Sequence, residues 1–210
     1  MRLGCVIGVL VLAAGCGHVT RTHPTPRGGW EVEAAVGGPL VAVGPIIPTP
    51  MSTVGVRHGA FGRGDIGVHL HVTPAFFGIT GGDIDTTWRV LDQRGGVPHV
   101  GLNGRLYAFN KDGDVRNYLE ITPSASWLLG ERYLSYVSGT AFVQFAGGPV
   151  LFSAAIGEQV RFGRFALQGE LRWYQPDYAT RFVVVDWQPI AGQGGWGFIL
   201  GASYQFGGIR

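Results

Sequence analysis

His69 and His71 stand two residues apart, a spacing that puts both imidazoles on one face of an extended strand. Such a pair could hold a metal together with Asp65 or Glu120. A protein metal site needs three or four converging ligands, however, and no cysteine or third histidine follows at ligand spacing. The pair is therefore expected to make hydrogen bonds, and neither a metal nor another cofactor is expected. Other chemistries have less support still, because no G-x-S-x-G, P-loop, H-E-x-x-H or G-x-G-x-x-G pattern falls at a useful position. No catalytic residue is assigned. The tripeptide Arg63-Gly64-Asp65 reads as part of a tight turn.

The elements that must carry these side chains have a period of two. Trp196, Phe198, Leu200, Ala202, Tyr204 and Phe206 alternate with Gly197, Gly201, Ser203 and Gln205, and Ile199 alone breaks the polar face. Phe165, Leu167, Leu171 and Trp173 alternate in the same way with Gln168, Glu170, Arg172 and Tyr174. The pattern recurs at Val100 to Ala108 and at Ile66 to Val72, with shorter echoes around Val54, Trp88 and Leu119. Glycine is 36 of 210 residues and has no three-residue period, and no helical period competes with the alternation. Turn signals divide the chain into ten strands: 29–43, 52–61, 64–73, 79–92, 97–109, 115–129, 132–146, 148–162, 163–176 and 193–207. Eight remain possible if the seventh and eighth are wrongly divided. The expected fold is a single all-β, antiparallel, up-and-down barrel.

On this register one face of the sheet carries Glu31, Glu33, Arg57, His69, His71, Arg89, Arg105, Glu120, Gln168, Glu170 and Arg172. If that face lines the barrel, the nearly matched signs predict an internal ion-pair network, since a buried charge without a partner costs several kcal/mol. A barrel of eight to ten strands is narrow enough for side chains to fill, so a polar plug is expected rather than a pore. Charged residues are only 14% of the chain and nearly balance, which leaves no basic stripe for nucleic acid.

The N-terminus supplies an address. Arg2 precedes an apolar run from Leu3 to Leu12 and then Ala13-Ala14-Gly15-Cys16, the order of a secretory signal whose core is too short to span a membrane as an anchor. Ala13 to Cys16 resembles a bacterial lipobox. That resemblance implies cleavage before Cys16 and acylation of its thiol, and Gly17 at the next position favours the outer membrane. The expected division is 1–15 as lipoprotein signal peptide, 16–27 as acylated linker and 28–210 as barrel. Cys5 lies in the signal, so the mature chain has no thiol left for a disulfide.

Across residues 28–207 the chain resembles the small outer-membrane β-barrel proteins of Gram-negative bacteria, of the OmpA/OmpW-like class. The aromatic, alternating last strand carries the likeness, although Gly207 to Arg210 extend past Phe206. In this topology the short connections face the periplasm and the longer ones face outward. Asp83 and Asp85, with His58 or His99, invite comparison with ten-stranded outer-membrane proteases, but the histidines fall nearer the periplasmic half. The segment from Gln175 to Gly195 carries Tyr178, Phe182 and Trp187, the candidates for loop binding. The leading reading is a non-catalytic outer-membrane barrel lipoprotein, a monomer whose loops serve a structural, adhesive or binding role. Its expected partners are outer-membrane lipids and the barrel-assembly and lipoprotein-processing machineries. Two alternatives are a narrow passive channel for small solutes and a soluble lipocalin-like domain tethered by Cys16; an enzyme acting at the rim ranks behind them. A mean hydropathy of +0.19 favours the membrane.

Overall fold

The computed structural model describes residues 17–42, 46–48, 50–145, 147, 150–176, 181–182, 185–186 and 194–208. Ten strands follow one another around a closed antiparallel sheet: β1 (Gly29–Ala42), β3 (Met51–His58), β4 (Gly64–His71), β5 (Thr80–Leu91), β6 (His99–Lys111), β7 (Asp114–Leu129), β8 (Tyr133–Gln144), β9 (Leu151–Phe162), β10 (Phe165–Tyr174) and β13 (Gly195–Gly207). The last strand pairs with the first from Gly29↔Gly207 to Pro39↔Gly197, which leaves the barrel no open edge. A short strand β2 (Ile46–Pro48) adds to the far end of β1, and β11 (Arg181–Phe182) pairs with β12 (Val185–Asp186) in a separate hairpin. One helical turn, α1 (Val72–Ala75), follows β4.

Connections at the end where β1 begins and β13 finishes are compact. They comprise residues 59–63, 92–98, 130–132 and 163–164, with Gly130 and Gly163 in the left-handed conformation that tight turns require. The other end carries the connection holding β2, the one holding α1, and the long stretch between β10 and β13. On that side the turn at Asp112–Gly113 is tight, both residues adopting positive φ, and residues 145–150 join β8 to β9.

The two faces of the sheet sort by polarity in the sense opposite to a water-soluble barrel. Val54, Val68, Leu70, Ile84, Val137, Ile156, Leu167 and Leu200 all point outward and are between 44% and 64% exposed. The inward positions hold Arg57, Asp65, His69, Asp83, Asp85, Arg105, Glu120, Glu170 and Arg172, none more than 6% exposed. In water the apolar exterior would be a continuous adhesive surface, whereas in lipid it is solvated. The tethered lipocalin-like alternative, which needs apolar residues inside and charges outside, is thereby overturned. Glu158 is the notable charge on the outer face, and Ser135 donates to it at 2.6 Å. Ile199, the break in the alternation, does face inward and is fully buried.

Residues 17–27, expected as a linker, instead run through the interior of the barrel. Gly29 donates to the Pro26 carbonyl at 2.8 Å and Gly28 to the Gly59 carbonyl at 2.9 Å, a tight reversal at the short-turn end with Gly28 at φ 73°. From that reversal the preceding residues lie along the barrel axis. A polar, threonine-rich segment reads as solvated linker, but in a polar lumen the same composition is what packs.

Candidate functional site

The lumen is built in tiers by inward positions of successive strands. Nearest the short-turn end, Arg21 of the threaded segment grips Glu31 of β1 through both terminal nitrogens, at 2.8 and 2.6 Å. The Thr25 amide donates to Asp65 at 2.6 Å, and His99 donates to the Thr22 carbonyl at 3.1 Å. His23 stacks on His99 with ring centroids 3.8 Å apart and reaches the Ser126 hydroxyl at 3.1 Å.

The middle tier centres on Arg57, whose guanidinium contacts Asp65 at 2.9 Å, Asp85 at 2.7 Å and Glu33 at 3.1 Å. Arg105 completes the tier against Asp83 at 3.2 Å and Asp85 at 3.4 Å, and Asn103 donates to Asp85 at 2.7 Å. His69 sits between Asp83, at 2.7 Å from Nδ1, and Glu33 on Nε2, while His71 Nε2 lies 2.8 Å from the second oxygen of Asp83. One carboxylate thus bridges the two imidazoles of the His69/His71 pair. Asp65 and Glu120, the expected co-ligands, are engaged elsewhere, by Arg57 and by His18. His69, Asp83 and Asp85 do bring ligand-type atoms within 4.8 Å of one another. Both acids, however, already accept from Arg105, and Asp85 accepts from Arg57 as well, so guanidinium charge stands where a cation would act.

Above this, Glu120 accepts from the Tyr107 hydroxyl at 2.5 Å and lies 3.1 Å from His18, while the Thr122 hydroxyl donates to it at 3.0 Å. Across the lumen Glu170 accepts from the Thr20 amide at 2.7 Å, the Tyr136 hydroxyl at 2.8 Å and Arg172 at 2.7 Å. Gln168 donates to the Thr20 carbonyl at 2.8 Å and to Tyr136 at 2.7 Å. The last tier, toward the longer loops, is apolar: Met51, Ile79, Tyr107 and Phe109 are buried together, with Tyr118 and Phe142 packed against them.

Seven carboxylates (Glu31, Glu33, Asp65, Asp83, Asp85, Glu120, Glu170) face four guanidiniums (Arg21, Arg57, Arg105, Arg172) in these tiers, among the described residues. Beyond the guanidiniums, His18, His69 and His71 each form a hydrogen bond to a carboxylate. Every acid here has a hydrogen-bond partner, which is the condition for keeping ionised groups away from water.

Of the residues assigned to the lumen from sequence, Arg89 stands apart. It lies at the short-turn rim, bonded to Asp92 at 3.3 Å and 38% exposed in its side chain. The others lie inside, in the tiers above. Asp65, Asp83, Asp85, Tyr107 and Tyr136 join them in the lumen; extending the alternation of Trp88 and Arg89 back along β5 puts Asp83, Asp85 and Thr87 on the inner face. His58 faces outward onto the Trp30 ring at 4.4 Å, and His99 sits in the lowest tier, so neither joins the two aspartates. Asp65 is fully buried, which removes the Arg63-Gly64-Asp65 tripeptide from presentation. Cys16, Tyr178 and Trp187 lie outside the described residues, and for Phe182 only its backbone pairing in β11 is described.

The lumen encloses a central cavity of about 30 Å³ between the threaded segment, Glu33, Arg57 and His69, room enough for water and little more. At the short-turn end it widens into a vestibule of about 1190 Å³, whose walls include Arg27, Arg89, Arg132, Arg161 and Arg164 and whose inner end is closed by Thr22 to Pro26.

A closed antiparallel barrel with an apolar exterior and a satisfied polar interior defines the class: a transmembrane β-barrel of the outer-membrane type. No family model and no curated protein matches the chain. Among solved structures it is similar to the COG4313 outer membrane channel from Pseudomonas putida F1, at 11% identity over 90% of this chain and 100% of that one, with a TM-score of 0.49. It is also similar to the translocator domain of the autotransporter NalP from Neisseria meningitidis, at 11% identity, 94% and 93% coverage and a TM-score of 0.43. Ail, the attachment invasion locus protein of Yersinia pestis, matches at 9% identity, 86% and 99% coverage and a TM-score of 0.29.

Proposed function

We propose that this protein is a non-catalytic outer-membrane barrel lipoprotein, acylated at Cys16, whose own N-terminal segment closes its lumen and whose outward loops carry a structural, adhesive or binding role. The observation that carries the reading is the threaded segment: Arg21, Thr22, Thr20 and His18 each bond a different part of the wall, from Glu31 and His99 to Glu170 and Glu120. Those contacts stand across the path an ion would take through the lumen. With the interior committed to holding shape, what remains to meet the environment is the longer-loop end.

The test is conductance. Purified protein reconstituted in a planar bilayer is expected to be silent in symmetric salt. A variant whose residues 18–26 are replaced by glycine and serine removes the luminal anchors and is expected to pass current while still shifting in gel mobility on boiling. Regular conductance steps from the unaltered protein would defeat the reading and favour the narrow passive channel, for which the arginine-lined vestibule would be the entry.

A further inference from the structure

The threaded segment has a direction. Its reversal at Pro26 to Gly29 sits at the short-turn end. From there its partners climb the wall: Asp65 beside the β3–β4 turn, Glu170 midway along β10, then Glu120 and Tyr107 in the upper halves of β7 and β6. At the top, Thr53 donates to the Gly17 carbonyl at 3.1 Å, and a Cβ placed on Gly17 would lie 2.9 Å from the Met51 Cβ. Met51 pairs with Gly37 near the longer-loop end, and His58, seven positions along the same strand, belongs to the short-turn end. Seven residues of strand cover roughly 23 Å. Gly17 is therefore separated from the start of β1 by most of the barrel's height.

We infer that the threaded segment descends from the cell surface: its Gly17 end is held at the extracellular mouth, and it runs down the lumen to the periplasmic rim before β1 begins. The inference rests on the outer-membrane reading above and on the orientation that puts short turns in the periplasm. A lipid attached to the residue before Gly17 would then belong to the outer leaflet, not to the periplasmic leaflet where a simple tether would end. It also fixes an order of assembly, because a closed sheet cannot be threaded afterwards by an acylated end. The barrel must close around the segment.

Two measurements test this. The first is a disulfide: Gly17→Cys with Met51→Cys should cross-link in outer membranes prepared without reductant, whereas Gly17→Cys with Ser126→Cys, at the opposite end, should not. Absence of the first cross-link, or presence of the second in its place, overturns the threading direction. The second is topology. An epitope inserted between Cys16 and Gly17 should stain intact cells as strongly as the same epitope at Gly113. At Gly130 it should stain only after the outer membrane is permeabilised, and each variant is first checked for boiling-dependent mobility. An N-terminal epitope silent on intact cells while the Gly113 epitope stains overturns the proposal alone. Staining at Gly130 and not at Gly113 inverts the barrel and overturns both the proposal and the orientation on which it rests. Epitopes silent at every position, in protein that fractionates away from the outer membrane, sink the outer-membrane reading itself.

Discussion

Replacing Arg57 by methionine should be among the most damaging single changes in the lumen. The side chain is fully buried and serves three acids, at 2.9, 2.7 and 3.1 Å, two of them as buried as itself. Methionine keeps much of the volume and removes the charge. Asp85 keeps Arg105 at 3.4 Å and Asn103 at 2.7 Å, and Asp65 keeps the backbone amides of Thr25 and Thr87 at 2.6 and 3.0 Å. Those contacts soften the loss without cancelling it, and breaking a buried ion pair from one side typically costs about 3–5 kcal/mol. For a chain of this size each kcal/mol is worth about 2–4 °C, so the unfolding midpoint should fall by roughly 6–20 °C. The assay is the temperature at which the compact gel species disappears, measured in detergent over a series of incubation temperatures. Arg116→Ala is the matched control: its pair with Asp114 is exposed, at 54% and 63%, and such pairs contribute under about 1 kcal/mol. Arg57→Lys should fall between the two, since one ammonium cannot fork to three carboxylates. Adding Asp65→Asn to Arg57→Met should restore part of the loss. If Arg57→Met shifts the midpoint no more than Arg116→Ala does, the lumen network contributes little to holding the barrel together.

Val68→Arg, central among the outward residues of β4, should destabilise the folded barrel in lipid by about 2–4 kcal/mol, read from urea titration in vesicles; a change near zero would mean that this face meets water. Gly55→Ala points a methyl group into the lumen against the His69 ring and 2.7 Å from the Val68 carbonyl, and overpacking of this kind should cost about 1–3 kcal/mol in the same titration. Tyr136→Phe removes the 2.8 Å donor to Glu170 and the acceptor for Gln168, and should cost about 1.5–3 kcal/mol, with the bilayer current still silent.

The barrel was legible in the sequence because alternation and turns are local. Val54, Val56, Leu167 and Phe198 announce one face and Arg57, Glu170 and Arg172 the other, and the ten strands observed lie within a few residues of those read from the chain. Which face looks inward is a property of the solvent, since a strand presents the same pattern to lipid outside or to a core inside. The closed pairing of β1 with β13 and the inward charges settle that point. The plug was illegible for a related physical reason. Binary patterning identifies a buried segment by its apolar residues, and His18, Thr20, Thr22 and Thr25 have none to show, yet all four are buried. A polar lumen reverses the usual code, so a segment that reads as solvated linker is chemically the complement of a wall of carboxylates and hydroxyls. The burial pattern shows what the plug answers: the strands bring Glu31, Glu33, Asp65, Asp83, Asp85, Glu120 and Glu170 inward against the arginines Arg57, Arg105 and Arg172 and the histidines His69 and His71, and buried carboxylates need more donors than these supply. The remaining donors come from the threaded segment, as Arg21, His18 and the amides of Thr20 and Thr25.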